Sequence, residues 1–525
     1  MLSFKNKKVW AIRFILSVYR ILKVSAWMAI SILIKQHLIY QLVKSGRYYF
    51  LSRPRRFGKS LLISTLEAYF QGKKELFQGL AMEKLEKDWT KYPILHIDLN
   101  TQKYDSPQSL ESKLNRTLVT WEKLYGNEPA EDSLSMRFEG TIQRAYEQTG
   151  QRVVILVDEY DKPMLQAIGN KELQNSFRET LKAFYGALKS KDGCIKFAML
   201  TGVTKFGKVS VFSDLNNLDD ISMWNEYIEL CGISEKEIHK NLETELHEFA
   251  DVQKMTYDSF CEKLRQYYDG YHFTHNSIGM YNPFSLLNAF KRKEFGSYWF
   301  ETGTPTYLVE LLKRHHYNLE RMAHEETNAQ VLNSIDSEST SPIPVIYQSG
   351  YLTIKGYDEE FGIYHLGFPN KEVEEGFIQF LVPYYTSMNK VESPFEIQKF
   401  VREIRSGDYN SFFQRLQSFF ADTTYEIIRE QKLHYENVLF IIFKLVGFYV
   451  KVEYHTSRGR IDLVLQTDKF IYIMEFKLNG TAEEALQQIN DKHYALPFET
   501  DGRRLFKIGV NFSAETRNIE KWIVE

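Results

Sequence analysis

The stretch Tyr48-Tyr-Phe-Leu-Ser-Arg-Pro-Arg-Arg-Phe-Gly-Lys-Ser-Leu-Leu-Ile-Ser-Thr-Leu66 decides the fold class of this 525-residue chain. An apolar run, a tight basic turn and a helix that opens on Gly-Lys-Ser are typical of a phosphate-binding loop, in which backbone N–H groups and the helix dipole face the phosphates. We expect Lys59 to reach the β- and γ-phosphates of ATP and the Ser60 hydroxyl to bind Mg²⁺. The full pattern has a glycine five residues before Gly58, where this chain has Arg53. The residues predicted to contact the nucleotide here are Arg55, Arg56, Phe57, Gly58, Lys59, Ser60 and Leu61.

A second stretch, Gln151-Arg-Val-Val-Ile-Leu-Val-Asp-Glu-Tyr-Asp161, supports the first. Its unbroken apolar run predicts a buried parallel strand, which would present Asp158 and Glu159 at the carboxyl edge of the sheet. Asp158 would hold Mg²⁺, usually through water, and Glu159 would orient or deprotonate the attacking water. The alternative is a strand that ends in a solvated acidic turn. Since both motifs occur in the expected order, the pair predicts a nucleoside triphosphate site.

Helix and strand patterns alternate from about Leu38 to Phe212, as an α/β sheet requires. Pro93–Asp98 and Cys194–Thr201 are predicted to be further strands. Thr201 or Thr204 would place a hydroxyl beside the γ-phosphate, although a threonine that merely caps a strand end is an equally good interpretation.

Composition limits the classes of function. The chain has 66 basic and 68 acidic residues, a formal net charge of −2, so nucleic acid would have to bind to local patches rather than to the molecule as a whole. The three cysteines, Cys194, Cys231 and Cys261, are widely spaced and lack a metal-ligand pattern. They indicate buried thiols in a reducing compartment, and we expect a cytoplasmic protein.

The first 36 residues are an atypical leader. Val9–Ile34 is apolar and basic, and Arg13, Arg20 and Lys23 interrupt it, so that its longest uncharged run is the eleven residues Val24–Ile34. A spanning helix needs about 20 apolar residues, so none is predicted. A helix that lies on a membrane surface is the alternative.

The chain beyond the leader divides by pattern into five regions. We expect an ATPase core at 37–234, a helical lid or arm at 235–322, a linker with a small strand region at 323–371, a helical connector at 372–429 and a separate α/β unit at 430–525. The segment Ala323–Pro344, rich in Asn, Ser, Thr and Glu, suggested the linker.

The last unit carries a second constellation. Gly459–Leu465 and Phe470–Lys477 are predicted strands, and a hairpin would place Asp462 beside Glu475, with Lys477 on the same face as Glu475. Asp462 and Glu475 would hold Mg²⁺ against a scissile phosphate, and Lys477 would position or help to deprotonate the water. Glu436 from an upstream helix would add a third carboxylate, and Gln488 from a downstream helix would contact the site or the backbone of a nucleic acid. The alternative is a cross-strand salt bridge in a surface hairpin.

At these residues the chain resembles a known bacterial architecture. The loop quoted above, Leu156-Val-Asp-Glu-Tyr-Asp161, Leu200-Thr-Gly-Val-Thr-Lys-Phe206 and Asp214-Leu-Asn-Asn-Leu218 resemble the AAA-ATPase-like family. The C-terminal unit is similar to the PD-(D/E)XK nuclease domain that is usually fused to that family. Its motifs stand here as Arg460-Ile-Asp462, without the proline, and Glu475-Phe-Lys477. The resemblance implies a P-loop NTPase parallel sheet with a helical lid, followed by a restriction-endonuclease-like α/β domain.

The resemblance also carries expectations about activity. It implies an ATPase that uses ATP and Mg²⁺, with a fused nuclease acting on DNA rather than RNA, in mobile-element defence or DNA processing, and it is compatible with a homo-oligomer. One alternative is an ATP-dependent switch whose C-terminal domain binds nucleic acid or a partner without cutting. Another is a folded but inactive protein, since residues 1 to about 36 do not resemble the usual start of the family and could arise from a shifted reading frame.

Overall fold

The protein is described by a computed structural model that divides the chain into two compact units. Unit 1 comprises the chain up to Trp299 together with Glu325–Glu372, and unit 2 comprises Phe300–His324 and Val373–Glu525. The residues described are 35–205, 211–212, 215, 217–300, 306–333, 341–386, 392–421, 431–447, 451–457, 460–478, 480–498, 500–513, 515–516 and 518–525. The leader predicted at residues 1–36 therefore falls, except for its last two residues, outside the described part of the chain.

A five-stranded parallel sheet is the centre of unit 1, as the sequence predicted. Its strands are β1 (Tyr48–Ser52), β2 (Ile94–Asp98), β3 (Val153–Asp158), β4 (Ile195–Gly202) and β5 (Asp219–Asp220), in the order β2-β3-β4-β1-β5. Every residue of β1 and β3 is buried, because helices cover both faces of a parallel sheet. The sheet helices are α1 (Gln36–Ser45), α2 (Lys59–Phe70), α3 (Ala81–Leu85), α4 (Pro107–Tyr125), α5 (Leu134–Thr149), α6 (Lys162–Gln166), α7 (Lys171–Tyr185) and α8 (Ala187–Ser190).

A helical arm follows the sheet, in the region where a lid was expected. It consists of β6 (Ile233–Ser234), α9 (Glu235–Asn241), α10 (Glu243–Val252), α11 (Tyr257–Tyr268), β7 (Met280–Tyr281) and α12 (Pro283–Arg292). Phe249, Phe260 and Phe290 belong to the apolar core that these helices share. Asn282 caps α12 by accepting hydrogen bonds from the backbone N–H groups of Phe284 and Ser285, and it thereby fixes the start of that helix.

Strands occur in region 323–371, for which we expect a linker with a small strand region. Residues 325–328 form β8 (Glu325–Asn328), which pairs with β10 (Ile363–Gly367), and β10 pairs in turn with β9 (Thr353–Asp358) in an antiparallel sheet. Two short helices, Ala329–Asn333 and Ile343–Gln348, lie between β8 and β9. A strand with one solvated face needs few apolar residues, so the polar composition of residues 325–328 is compatible with β8.

Unit 2 is built on a mixed five-stranded sheet of order β11-β12-β13-β14-β15. Its strands are β11 (Lys451–Ser457), β12 (Arg460–Gln466), β13 (Phe470–Leu478), β14 (Arg504–Ser513) and β15 (Asn518–Val524). Neighbouring strands are antiparallel except for β13 and β14, which are parallel. Helix Ala482–Asp491 forms the crossover connection between these two strands. Gly509 in β14 lets that helix lie close, since a Cβ there would stand 2.1 Å from the Ala482 carbonyl oxygen.

The remaining helices of unit 2 belong to the same compact unit as this sheet. They are Thr306–Arg314, most of Lys371–Tyr385, Ser393–Ser406, Tyr409–Ala421 and Gln431–Gly447. The Tyr472 hydroxyl of β13 donates to the Ile404 carbonyl at 2.6 Å, and the Gln417 amide donates to the Ile519 carbonyl at 2.6 Å. The described part of region 372–429 therefore belongs, apart from Glu372, to the same compact unit as the C-terminal sheet. Within the described part of the chain, no helix combines the length and apolarity needed to cross a membrane.

Candidate functional site

The turn between β1 and α2, residues 53–58, is shaped by two left-handed positions. Gly58 has φ +97° and is the N-cap of α2, and Arg56 has φ +66°. Nothing lies within 4 Å of where a Cβ of Gly58 would stand, so the backbone angle rather than lack of space favours glycine there. The two positions curl the chain so that the N-terminus of α2 opens into the turn, which we call the 53–58 loop. This is the geometry that the sequence predicted for a phosphate site.

Lys59 lies across the 53–58 loop. Its side chain is buried, and its Nζ donates to the carbonyl oxygens of Arg53 at 3.0 Å and Pro54 at 3.4 Å. Nζ also forms an ion pair with Glu159 Oε1 at 3.2 Å. The acidic residue that pairs with Lys59 is therefore Glu159, the residue expected to orient or deprotonate the attacking water.

Two acidic residues at the end of β3 have different environments. Asp158 is buried and accepts a hydrogen bond from Thr201 Oγ1 at 2.7 Å, so a hydroxyl of β4 fixes its carboxylate. Glu159 has φ +54°, a conformation that costs about 1–3 kcal/mol for a residue with a side chain and is often found at functional sites. The structure thus brings Lys59, Glu159, Asp158 and Thr201 together at the carboxyl end of the sheet.

Asp161 is a residue for which the sequence suggested no role. Its carboxylate is fully buried and accepts from Val203 N at 3.2 Å, Thr204 N at 2.6 Å and Thr204 Oγ1 at 2.7 Å. Burial, followed by the nearby charge of Glu159, raises the pKa of Asp161 to about 6, although the hydrogen bonds from Thr204 oppose that rise. Thr204, one of the two predicted γ-phosphate contacts, therefore has its hydroxyl on Asp161. Asp161 is the third acidic residue of Asp158-Glu-Tyr-Asp161, and that clustering of acids was the sequence signal that could have identified Asp161 as a site residue.

The other predicted loop residues fall into two groups. Ser60 is exposed at the start of α2, whereas Leu61 and Phe57 are buried, and Phe57 packs edge-on against the rings of Tyr271 and Phe273. Arg56 lies over the Phe284 ring at 5.0 Å. The Arg55 carbonyl accepts from Trp299 Nε1 at 3.1 Å and from Asn282 Nδ2 at 3.3 Å, two partners that the sequence gave no reason to expect.

Arg53 occupies the position of the first glycine in the full phosphate-binding-loop pattern, and its side chain holds the entry of the loop in place. Its side chain is fully buried and stands over the Phe273 ring at 4.0 Å. The guanidinium donates to the carbonyl oxygens of Ser52 at 3.0 Å, Ser222 at 2.6 Å and Tyr227 at 3.3 Å. Burial lowers the pKa of Arg53 to about 10, which still leaves it charged at neutral pH. Arg53 thus anchors the entry of the loop to the 221–230 segment.

A partly open cavity adjoins the loop on the α1 side. Its lining is mainly apolar and consists of Lys35, Ile39, Phe57, Gly58, Leu61, Leu62, Thr65, Leu230, Cys231 and Gly232. The Lys35 ammonium is engaged by Glu237 at 2.7 Å, so its charge is neutralised at the cavity wall. The cavity shares Phe57, Gly58 and Leu61 with the predicted nucleotide contacts.

The second constellation lies on β12 and β13. Asp462 stands directly opposite Glu475 in the antiparallel register, and Arg460 stands opposite Lys477. Glu475 is fully buried, Lys477 Nζ lies 4.0 Å from Glu475 Oε1, and Lys477 donates a hydrogen bond to Gln488 Oε1. Directly opposite residues share a face of the sheet, so the backbone satisfies the hairpin prediction.

The structure gives less information on Asp462 and Glu436 than on the other residues of this constellation. The Asp462 side chain lies outside the described part of the structure, and Glu436 is half-buried on helix Gln431–Gly447. Among the side chains that are described, which exclude that of Asp462, no three histidine, cysteine or acidic groups are gathered closely enough to hold a metal. A metal role for Asp462 and Glu475, and a catalytic role for Glu436, stay predictions.

Comparison with known proteins gives two family matches. Residues 32–212 match the model described as predicted AAA-ATPase, and residues 418–522 match the model of the PD-(D/E)XK nuclease superfamily. The chain is 34% identical over 500 residues to an uncharacterized protein in the vnfD 5' region of Azotobacter chroococcum mcd 1, covering 92% of this chain and 93% of that protein. Among solved structures, the ORC2 protein of Aeropyrum pernix, in ADPNP and ADP complexes, matches over 65% of this chain and 88% of its own at 10% identity. Its TM-score of 0.24 is too low to establish a shared fold.

Proposed function

We propose a function from one premise: the chain belongs to the predicted AAA-ATPase family, and it ends in a domain of the PD-(D/E)XK nuclease superfamily. Unit 1 would bind and hydrolyse ATP at the 53–58 loop, and the C-terminal domain would cleave DNA with the help of Mg²⁺ under the control of the nucleotide state. The observation that carries the proposal is the ion pair between Lys59 and Glu159 beside the Asp158–Thr201 hydrogen bond, at the mouth of a helix N-terminus.

The ion pair suggests how nucleotide binding would prepare the site. In the structure, Lys59 neutralises Glu159 and is held by two loop carbonyls. A triphosphate carries more negative charge than one carboxylate, so it would draw the Lys59 ammonium towards itself and release Glu159. Glu159 would then be free to take the proton of the attacking water, and its left-handed backbone would aim it.

The residues at the same edge suit a magnesium ion. Ser60 offers an exposed hydroxyl, and Asp158 offers a carboxylate that Thr201 already orients, which are oxygen ligands of the kind that Mg²⁺ prefers. A bound Mg²⁺ would neutralise charge on the β- and γ-phosphates. The hydrogen bond from Thr201 would keep the Asp158 carboxylate oriented towards the ion, so Thr201 would be a positioning residue.

The cavity beside the loop would receive the base. It begins at Gly58 and Leu61, where the phosphate contacts end, and its walls of Ile39, Leu62 and Leu230 would pack on a flat aromatic ring. Since Lys35 is committed to Glu237, the cavity offers little charge, which favours a neutral purine.

The C-terminal domain would act on a phosphodiester. Glu475 and Asp462 would hold Mg²⁺, and Lys477, kept in place by Gln488, would position or deprotonate the water beside the ion. The fully buried Glu475 fits this role, since a buried carboxylate gains most from a metal ion. We place the reaction in the cytoplasm, on DNA rather than RNA, in defence against mobile elements or in DNA processing.

Measurements of ATP binding and hydrolysis test the proposed nucleotide site of unit 1. Lys59→Ala removes a charge-assisted phosphate contact, and such contacts contribute about 1.5–3 kcal/mol, so the Kd for ATP should rise about 10- to 100-fold. Lys84→Ala, at an exposed position on α3, is the matched control and should leave the Kd unchanged. Glu159→Gln should keep binding and slow hydrolysis by about 10²- to 10⁴-fold. Equal ATP affinity in wild type and Lys59→Ala would refute the assignment.

A plasmid cleavage assay with Mg²⁺ and ATP tests the second half. Asp462→Asn should abolish cleavage while DNA binding persists, and Asp468→Asn, at an exposed residue of the β12–β13 turn, should cleave normally. The second candidate function is the switch that binds without cutting, which the absence of proline from Arg460-Ile-Asp462 favours. Wild-type protein that binds DNA in an ATP-dependent way and cuts neither DNA nor RNA would select that function.

A further inference from the structure

The 53–58 loop is tied to the part of unit 1 from which the chain leaves for unit 2. The chain crosses between the units after Trp299, after His324 and after Glu372. Trp299 is buried, and its indole Nε1 donates to the Arg55 carbonyl at 3.1 Å. Trp299 is therefore both a contact of the loop and the last residue of unit 1 before the first crossing.

Glu372 connects the third crossing to the first. Its Oε1 accepts from the backbone N–H of Trp299 at 2.9 Å and from the Ser285 hydroxyl at 2.9 Å. Glu372 lies in the first turn of helix Lys371–Tyr385, whose remaining residues from Val373 onwards belong to unit 2. A displacement of Glu372 would therefore move the start of a continuous helix.

The helical arm is connected to the same hydrogen bonds. Asn282, which donates to the Arg55 carbonyl at 3.3 Å, also caps α12 through the backbone N–H groups of Phe284 and Ser285. Ser285 in turn donates to Glu372. One carbonyl of the 53–58 loop is thus joined by hydrogen bonds to the arm and to two of the three crossings.

We infer that Trp299 and Glu372 are positioning residues that carry the state of the 53–58 loop to the two crossings, and so to the C-terminal domain. The inference rests on the proposed nucleotide binding at that loop. Phosphates that turn the N–H groups of residues 57–60 inwards would shift the Arg55 carbonyl, and the rigid indole would pass that shift to the backbone of residue 299. The hydrogen bond from Trp299 N to Glu372 would then pass it to the helix that begins at Lys371.

Hydrogen exchange on the full-length protein tests this link. Saturating ATPγS and Mg²⁺ should change the exchange rates of amides in Thr306–Arg314 and Val373–Tyr385 by about fivefold or more in wild type, the lower end of ordinary coupling between sites. Trp299→Phe keeps an aromatic ring against Tyr351 and removes the indole donor, so the change should fall below about twofold. Working at saturation keeps any change of affinity out of the comparison.

Two further variants separate positioning from general damage. Trp121→Phe is the matched control: its ring stacks on Phe138, and within the described structure its indole has no recorded hydrogen bond, so the wild-type response should remain. Glu372→Gln keeps an oxygen acceptor at the same place and should retain the response, whereas Glu372→Ala should lose it. A structural role alone would not distinguish the two substitutions in this way.

The outcomes separate this inference from the function on which it rests. Wild-type protein that binds ATPγS and shows no change in either helix overturns the inference and leaves the ATPase proposal standing. An undiminished response in Trp299→Phe or in Glu372→Ala also overturns it. Wild-type protein that binds no nucleotide refutes the proposed function first, and the inference with it.

Discussion

Removing the Thr204 hydroxyl is the sharpest test of the electrostatics beneath the loop. Thr204→Val keeps the shape of the side chain and deletes the hydrogen bond from Oγ1 to Asp161 Oδ2 at 2.7 Å. Both residues are fully buried, so water has no path to replace the lost donor. A hydrogen bond to a buried charged group contributes about 1.5–3 kcal/mol, and we take about 2 kcal/mol for this one.

The cost of the substitution should depend on pH. The folded-state pKa of Asp161, about 6, lies above its ordinary value of 3.8, so the stability that protonation of this group contributes is greatest below pH 3.8 and is lost as pH rises through 6. Loss of about 2 kcal/mol from the ionised form alone would raise that pKa by about 1.5, to about 7.5. The free energy of unfolding of Thr204→Val should therefore match wild type near pH 5 and fall about 2 kcal/mol below it near pH 8.5.

The assay should report on the parallel sheet rather than on the whole chain, because a protein with two compact units need not unfold in one step. Hydrogen exchange of amides in β3 and β4, corrected for the intrinsic rate at each pH, measures the local free energy of opening. Thr141→Val is the control, since its buried hydroxyl donates at 2.7 Å to the neutral carbonyl of Arg137 and its loss should cost the same at every pH. A flat difference between Thr204→Val and wild type from pH 5 to 8.5 would refute the reasoning.

Three further predictions concern the rest of the chain. Gly509→Ala should destabilise unit 2 by at least 1–3 kcal/mol in urea unfolding, because its Cβ would lie 2.1 Å from a helix carbonyl, whereas Gly502→Ala, with nothing within 4 Å, should be nearly neutral. If Asp462 and Glu475 share Mg²⁺ as proposed, Mg²⁺ should raise the thermal unfolding temperature of the wild type, and Asp462→Asn should lose that rise. An equal rise in both proteins would contradict the metal assignment. Cell fractionation should recover the protein without detergent, since Arg13, Arg20 and Lys23 interrupt the apolar leader, and recovery only from detergent-extracted membranes would show otherwise.

The sequence predicted the parallel sheet and the two-part family architecture correctly, because both are written in local patterns. The continuous apolar runs of β1 and β3 specify buried parallel strands, and Gly58-Lys-Ser60 specifies the start of α2. The hairpin register that sets Asp462 opposite Glu475 also follows from strand spacing and a three-residue turn.

What the sequence missed depends on partners far apart in the chain. The contact of Trp299 with the Arg55 carbonyl joins residues 244 positions apart, and no local pattern encodes it. Asp161 was visible as a third acid, but its burial and its bonds to Thr204 follow from the packing of β3 on β4. The ion pair of Lys59 with Glu159 and the left-handed backbone at Glu159 are likewise features that a strand pattern does not predict.

Arg53 changes the stage at which the backbone at the entry of the 53–58 loop becomes ordered, compared with a glycine-rich loop. A glycine at the loop entry would sample many backbone conformations, and the entropy of ordering it would be lost when the ligand arrives. Here three carbonyl acceptors and an aromatic ring order the entry when the protein folds. If phosphates bind at this loop as proposed, the binding site is formed before the ligand arrives. Association should then proceed in a single fast step with little loss of chain entropy, rather than through a slow rearrangement after first contact.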